Sequence, residues 1–486
     1  MDESPKDLGS DDPWGFAAPT SRPSSKPASD VDQLGAVNEA TFSESRGQRL
    51  ENVEGSGHGR HLKKRAFSLT IALSAVFAIG FIAEIVAVAR FINLAGLKGL
   101  VIIYPLGGLG LLAVAFAQVT WIDRIKREKA FVRVASAYGI LFVVALVLIA
   151  NSSERLSLIG TGLAVVLADQ VNFLLPLIIW AMLGDHFNAA ESRTVFPWVI
   201  SWRYAGQFVG LVVASAAPVL LTRLDIPLYT LLYVCPIGLL GLAYFLPRSL
   251  KGRSLNAPLG EIETVQESIS SAWGFVKGVK AFRAIFITSA LVFTAGMALE
   301  GTFLTRVADW SGDSESKVQI LYGSVLLFVF IICWILQRTA ITKIMERLNI
   351  PGSLAILPIA ALVGAVLLIA GVQADLFGVL LVGIVAWRVP WWSIDDVARR
   401  AAMTLVPDQR RARVSFVVDL VPFAIGLILS GLILGITQRS GDLIWGPVIA
   451  LLFAIAAIPA SRVAIKTWAD ALLSPQLKRR KRLSEK

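Results

Sequence analysis

Glu84 and Arg90, in FIAEIVAVAR, stand six residues apart inside a long apolar run. Glu300 and Arg306, in ALEGTFLTR, repeat the pair 216 residues later. A charge at the centre of a bilayer costs at least about 2.5–3.5 kcal/mol, so it persists where it faces a cavity, finds a partner or reaches the surface. A spacing of six is wrong for two side chains on one helix face, which needs three or four. Each carboxyl and its arginine therefore serve different levels. Glu84 and Glu300 lie about two-thirds of the way across their apolar runs and could carry a proton or hold a bridge, while Arg90 and Arg306 mark the outer headgroup level.

Other charges fall inside apolar runs. Asp169, beside Gln170 and Asn172, is a candidate for ion or proton coupling, or packs helices through hydrogen bonds. Arg203 lies too deep to reach the interface, about 12 Å in at about 1.5 Å per residue. Arg388, in AWRVPWW, offers a planar fork that suits a carboxylate or phosphate. Trp391 beside it could stack on a ring or pack at the interface, and Asp419 lies near the start of its run. Arg203, Arg388, Asp419 and Trp391 are the substrate-binding candidates; Asp169, Glu84 and Glu300 are the coupling candidates. Arg203 and Asp419 could pair with each other or hold opposite ends of a solute.

These residues must be positioned by membrane helices. The chain has 486 residues, 55% hydrophobic and 17% charged, with a mean hydropathy of +0.66; soluble domains carry about 25% charge. Twelve apolar stretches are long enough to span, at 67–91, 98–121, 131–151, 156–183, 195–221, 227–247, 283–306, 317–338, 352–372, 375–398, 415–437 and 442–462. The reading is an all-α membrane protein of twelve transmembrane helices in two pseudo-symmetric six-helix bundles, 61–247 and 283–462. Residues 1–60 read as a disordered acidic tail, 248–282 as a cytoplasmic linker with an amphipathic helix, and 463–486 as a basic tail. In the linker Ile262, Val265, Ile269, Trp273 and Val276 recur at three- and four-residue steps, the spacing of a helix lying on the membrane face.

Lys and Arg crowd alternate connections, RHLKKR, DRIKREK, DQRRAR and KRRKR, whereas NSSER, GVQAD and TQRSGD are nearly bare. That asymmetry places both termini in the cytoplasm of a multi-pass inner-membrane protein. It also accounts for most of the net charge of +11, leaving no reason to invoke a nucleic acid. At the cytoplasmic edge Asp123 with Arg127, Asp185 with Arg193, and Asp396 with Arg411 are candidate gate pairs.

A shift of 216 residues carries Glu84/Arg90 onto Glu300/Arg306, Arg203 onto Asp419, and RYAGQFVG onto DLVPFAIG. PLIIWAMLGDHF matches RVPWWSIDDVA in style at a shift of 210 or 211. Parallel repeats of this kind fit a major facilitator-type secondary transporter, with its site near the midplane between the halves. Several stretches resemble the ATP/ADP-translocase-like branch of that superfamily over residues 65–465: RFINLAGLKGLVIIYPLGGL, WAMLGDHFNAAESRTVFPWVISWRYAGQFVG, and SIDDVARRAAMTLVPDQRRARVSFVVDLVPFAIG, with Arg399, Pro407, Arg411 and Asp419 as marks. The resemblance implies transport of a nucleotide-like solute without hydrolysis. Where nucleotide exchangers carry charge early in the first helix, AFSLTIALSAVFAIGFIAE is bare until Glu84.

GGLG at 107–110 lacks the Lys and Ser/Thr of a phosphate loop and follows no strand. No nucleophile triad or metal-ligand spacing is present. The expectation is a non-enzymatic, cofactor-free monomer that moves a small anionic solute by alternating access, coupled to a proton or counter-solute. The alternative is a transport-inactive scaffold or assembly factor that keeps the fold, with bulky apolar side chains filling its cavity and its charges locked in bridges.

Overall fold

The computed structural model describes residues 57–121, 125–187, 189–250, 265–312, 314–403, 406 and 413–473. Residues 1–56 of the stretch read as an acidic tail lie outside them, as does the basic run at 478–482; its last four residues, 57–60, are helical and open the first helix. A bundle unit, Leu62–Lys486, is distinct from Met1–His61, and everything below concerns the bundle.

Eleven helices among the described residues are long and apolar enough to cross a membrane. The first, within Gly57–Trp121, is folded in two at Gly96, whose φ of 55° is a left-handed conformation that glycine takes without a Cβ penalty. Counting it as α1 (57–95) and α2 (97–121) gives twelve passes. The others are α3 (Arg127–Ile149), α4 (Glu154–His186), α5 (Ala189–Arg223), α6 (Val234–Leu250), α7 (Lys280–Ser311), α8 (Glu315–Thr339), α9 (Ile356–Ala374), α10 (Phe377–Met403), α11 (Arg413–Ser440) and α12 (Trp445–Leu473). The side on which α1 begins is called proximal, the other distal.

Most helices run past the apolar stretches read from sequence. α1 starts ten residues before position 67 and α12 continues to Leu473, because polar residues can extend a helix beyond the hydrocarbon without changing its hydrogen bonding. A helix at Val265–Gly278 stands before α7. It buries Ala272, Phe275 and Val276, and lays the exposed Trp273 edge-on against Phe286 at 5.3 Å. A second helix, Ile341–Leu354, precedes α9.

The repeat is visible in packing. Gly210 of α5 lies against the backbone of Ala78 in α1, and Gly426 of α11 lies against Phe293 and Thr294 in α7; both members of each contact differ by 216. Gly80 of α1 makes room for Asn172 of α4, and Gly296 of α7 makes room for the ring of Trp387 in α10. A Cβ at any of these glycines would collide with its neighbour. Between the halves, Gly108 of α2 meets Ala424 of α11, Gly431 of α11 meets Pro105 of α2, and Gly323 of α8 meets Ser215 of α5. The GGLG run is thus a helix-packing surface.

Candidate functional site

Glu84, Asn172, Glu300, Tyr322 and Arg388 converge from α1, α4, α7, α8 and α10. Asn172 Nδ2 donates to Glu84 Oε2 at 3.0 Å, and the Arg388 guanidinium is ion-paired with the Glu300 carboxylate. The Tyr322 hydroxyl donates to Glu300 Oε1 at 2.8 Å and lies 3.5 Å from Glu84 Oε1, so one phenol bridges both halves. Glu300, Tyr322 and Arg388 are buried. The offset of 216 links the donors as well as the acids: Asn172 serves Glu84 as Arg388 serves Glu300. This corrects the shift of 210 or 211 read for α4 and α10. The Trp, Pro and acidic residues that suggested the smaller shift extend beyond the site, into the π-helical turn at Trp391–Asp395 of α10.

Asp169 and Tyr104 stand within electrostatic range of Glu84, Glu300 and Arg388. A Cβ on Gly107 of α2 would sit 3.4 Å from Asp169 Oδ2. The centre therefore assembles three acids, Glu84, Asp169 and Glu300, around one guanidinium. Several buried polar atoms there have no hydrogen-bond partner: Asn172 Oδ1, Glu300 Oε2, Arg388 Nε and, beside it, Trp387 Nε1.

An aromatic layer covers the proximal face of this centre. Arg388 faces the rings of Trp391 and Trp392 at 5.1 and 5.0 Å. Phe81 of α1 packs on Trp392 at 5.7 Å, and Phe173 of α4 on Phe423 of α11 at 4.5 Å, both across the halves. Trp391 stacks with Trp387 and Phe423.

Below that layer lies a second charged set. Arg203 pairs across the halves with Asp396 at 3.3 Å, and Arg400 grips the same carboxylate at 2.9 Å. Arg399 is ion-paired with Asp395, and its Nε lies 4.0 Å from Asp419 Oδ1. Ser415 Oγ donates to Asp419 Oδ2 at 2.7 Å. Arg203 thus pairs with Asp396 rather than Asp419, because α10 brings its acidic turn between α5 and α11. Arg203 and Asp419 belong to this proximal set, while Arg388, Trp391, Asp169, Glu84 and Glu300 gather at the centre.

Among the expected gate pairs, Asp123 and Arg411 lie outside the described residues, as do the side chains of Asp185 and Arg193. Arg127 donates to the Ala181 carbonyl at 2.9 Å within the first half. Asp396 takes Arg203 and Arg400 as partners. Sequence reasoning missed Tyr322 and Arg400. Arg400 was readable as an i,i+4 partner of Asp396; a tyrosine in an apolar run carries no signal of its own.

On the distal side Arg90 bridges the halves to Glu315 at 3.0 Å and contacts Ser157 at 3.3 Å. Arg306 lies 3.7 Å from Asp375. A cleft of about 390 Å³ opens there, lined by Ile92, Asn93, Lys98, Thr305, Asp309 and Gln438 among others. Among the described residues no group of three or more His, Cys, Asp or Glu could hold a metal ion.

No family model and no curated relative matches the sequence. Solved structures do match. A peptide transporter POT in complex with sulfate superposes with a TM-score of 0.58 at 13% identity, over 84% of this chain and 95% of that one. The nucleoside transporter NupG gives 0.55 at 15%, over 83% and 99%. A bacterial homologue of the human lysosomal transporter Spinster, inward-facing and unoccupied, gives 0.56 at 16%, over 85% and 99%. The chain has the major facilitator fold. Within that fold Glu84, Glu300 and Arg388 meet at the interface between the two six-helix halves.

Proposed function

We propose that the chain is a secondary transporter that moves a small solute bearing an anionic group across the cytoplasmic membrane, coupled to protons, with both termini in the cytoplasm. The observation that carries this reading is the buried meeting of Glu84, Asn172, Tyr322, Glu300 and Arg388 from both halves, with donors and acceptors left unpartnered. A sealed structural core would not keep them, since an unsatisfied buried polar group costs about 1–3 kcal/mol. The centre also holds more acid than base, so a second anion enters only if an acid there is neutralised. A proton taken up at Glu300 would release Arg388 to grip the solute's carboxylate or phosphate, and Glu84 or Asp169 could accept the same proton. Trp391 and Trp392 would bound the solute on the proximal side.

The Arg203–Asp396–Arg400 set and the aromatic layer would form the proximal closure, and Arg90–Glu315 the distal one. The solved neighbours described as nucleoside and peptide transporters support transport of a small polar solute, and the resemblance to nucleotide translocases makes nucleotides the first solutes to try. The pairing of Arg388 with Glu300 is also what a transport-inactive scaffold would display.

The test is uptake of labelled nucleosides, nucleotides, dipeptides and organic anions into proteoliposomes with and without an imposed proton gradient, comparing the intact chain with Arg388→Ala. Gradient-driven uptake that is lost in the variant is expected. Uptake unchanged by Arg388→Ala would remove Arg388 from the site, and no uptake of any solute by a folded, inserted chain would favour the scaffold.

A further inference from the structure

We propose a binding site for one sodium ion in the second half, outside the centre described above, between α7, α9, α10 and α12. A hole with room for a single water-sized body lies there, lined by Thr288, Ser289, Leu354, Pro358, Asp395 and Ser461 among others. Thr288, Ser289, Asp395 and Ser461 are each more than nine-tenths buried.

One observation says that this hole is made for a ligand. The Thr288 hydroxyl is buried without a hydrogen-bond partner. Other buried hydroxyls of the same helix, those of Thr294, Thr302, Thr305 and Ser311, each donate to the carbonyl four residues earlier.

The donors are all oxygen, the Asp395 carboxylate and the hydroxyls of Thr288, Ser289 and Ser461, set among apolar side chains such as Ile285, Val292 and Leu357; Ser461 donates its proton to the Ile458 carbonyl and keeps its lone pairs free. Hard cations take such ligands. A single carboxylate matches a monovalent cation, and the small volume selects sodium over larger ions. Asp395 ends the π-helical turn of α10, a departure from regular helix that recurs at functional sites.

Arg399 presently holds Asp395, but it has a second acceptor in reach. Asp419 Oδ1 stands 4.0 Å from its Nε and is otherwise unpartnered. Arg400, half exposed, is committed to Asp396. Sodium on Asp395 would therefore move Arg399 toward Asp419, next to the Arg203–Asp396 bridge. Ion binding does not depend on the transport reading; its use as a coupling ion does.

The experiment is thermal unfolding of the purified full chain in detergent, titrated with NaCl, KCl or choline chloride at constant ionic strength. A sodium-specific rise in melting temperature that saturates is expected. Thr288→Val, nearly isosteric, should fold and lose most of that rise, while Ser440→Ala, outside the hole, should keep it. Identical melting in the three salts, or a sodium effect that survives both Thr288→Val and Asp395→Asn, would overturn the site and leave a buried water as its occupant. Uptake measured in sodium and in choline then reads the coupling separately.

Discussion

At the scale of single residues, the centre is a set of mutually dependent charges. Removing one partner of a buried ion pair leaves the other uncompensated and costs about 3–5 kcal/mol, whereas replacing both by apolar groups of similar volume is often neutral. Arg388→Ala should therefore lower the melting temperature strongly, and Arg388→Met with Glu300→Leu should recover most of the loss without recovering uptake. Thermal unfolding and uptake on the same preparations check both halves of that statement. If the double variant melted no higher than Arg388→Ala, the pair would not be the stabilising unit it is taken to be. Tyr322 adds a different dependence. Tyr322→Phe keeps the packing and removes the link between Glu84 and Glu300, so it should reduce uptake while costing about 1.5–3 kcal/mol, the worth of a hydrogen bond to a charged group.

At the scale of elements, glycines decide how closely helices approach. Gly296→Val puts branched carbons into the ring of Trp387 and should cost about 1–3 kcal/mol through overpacking. Gly184→Ala meets nothing within 4 Å and should be neutral or stabilise by up to about 1 kcal/mol through helix propensity. Melting curves that ranked the two variants the other way would contradict the packing. Much of this level was legible in the sequence. Twelve apolar runs gave the twelve passes, and the duplicated Glu84/Arg90 and Glu300/Arg306 gave the two halves, because burial makes charge rare enough to be informative. The partners were not legible. Asn172 and Arg388 are equivalent in role yet chemically unlike, so only the contact with Glu84 and Glu300 reveals the register. Pairing of Arg203 with Asp419 was one of two readings open in the sequence, and position alone cannot say that the widened turn of α10 presents Asp396 to α5 instead.

At the scale of the whole molecule, two helical halves meet along α2–α11 and α5–α8, with a charged centre between them, ionic bridges on both sides and an open cleft on the distal one. In the transport cycle proposed above the halves move as units and expose this centre to each side in turn. Breaking a bridge that spans the halves should shift that balance without touching the centre. The most direct measurement places one cysteine at the centre, Tyr104→Cys in a Cys235→Ala/Cys333→Ala chain, and times its reaction with a membrane-impermeant thiol reagent applied from the proximal side of proteoliposomes. Slow labelling is expected in that chain, and labelling at least tenfold faster when Arg203→Ala and Asp396→Ala open the proximal bridge. Labelling that stayed equally slow with the bridge removed, from either side of the membrane, would mean that the centre is a sealed core and would overturn the transport reading.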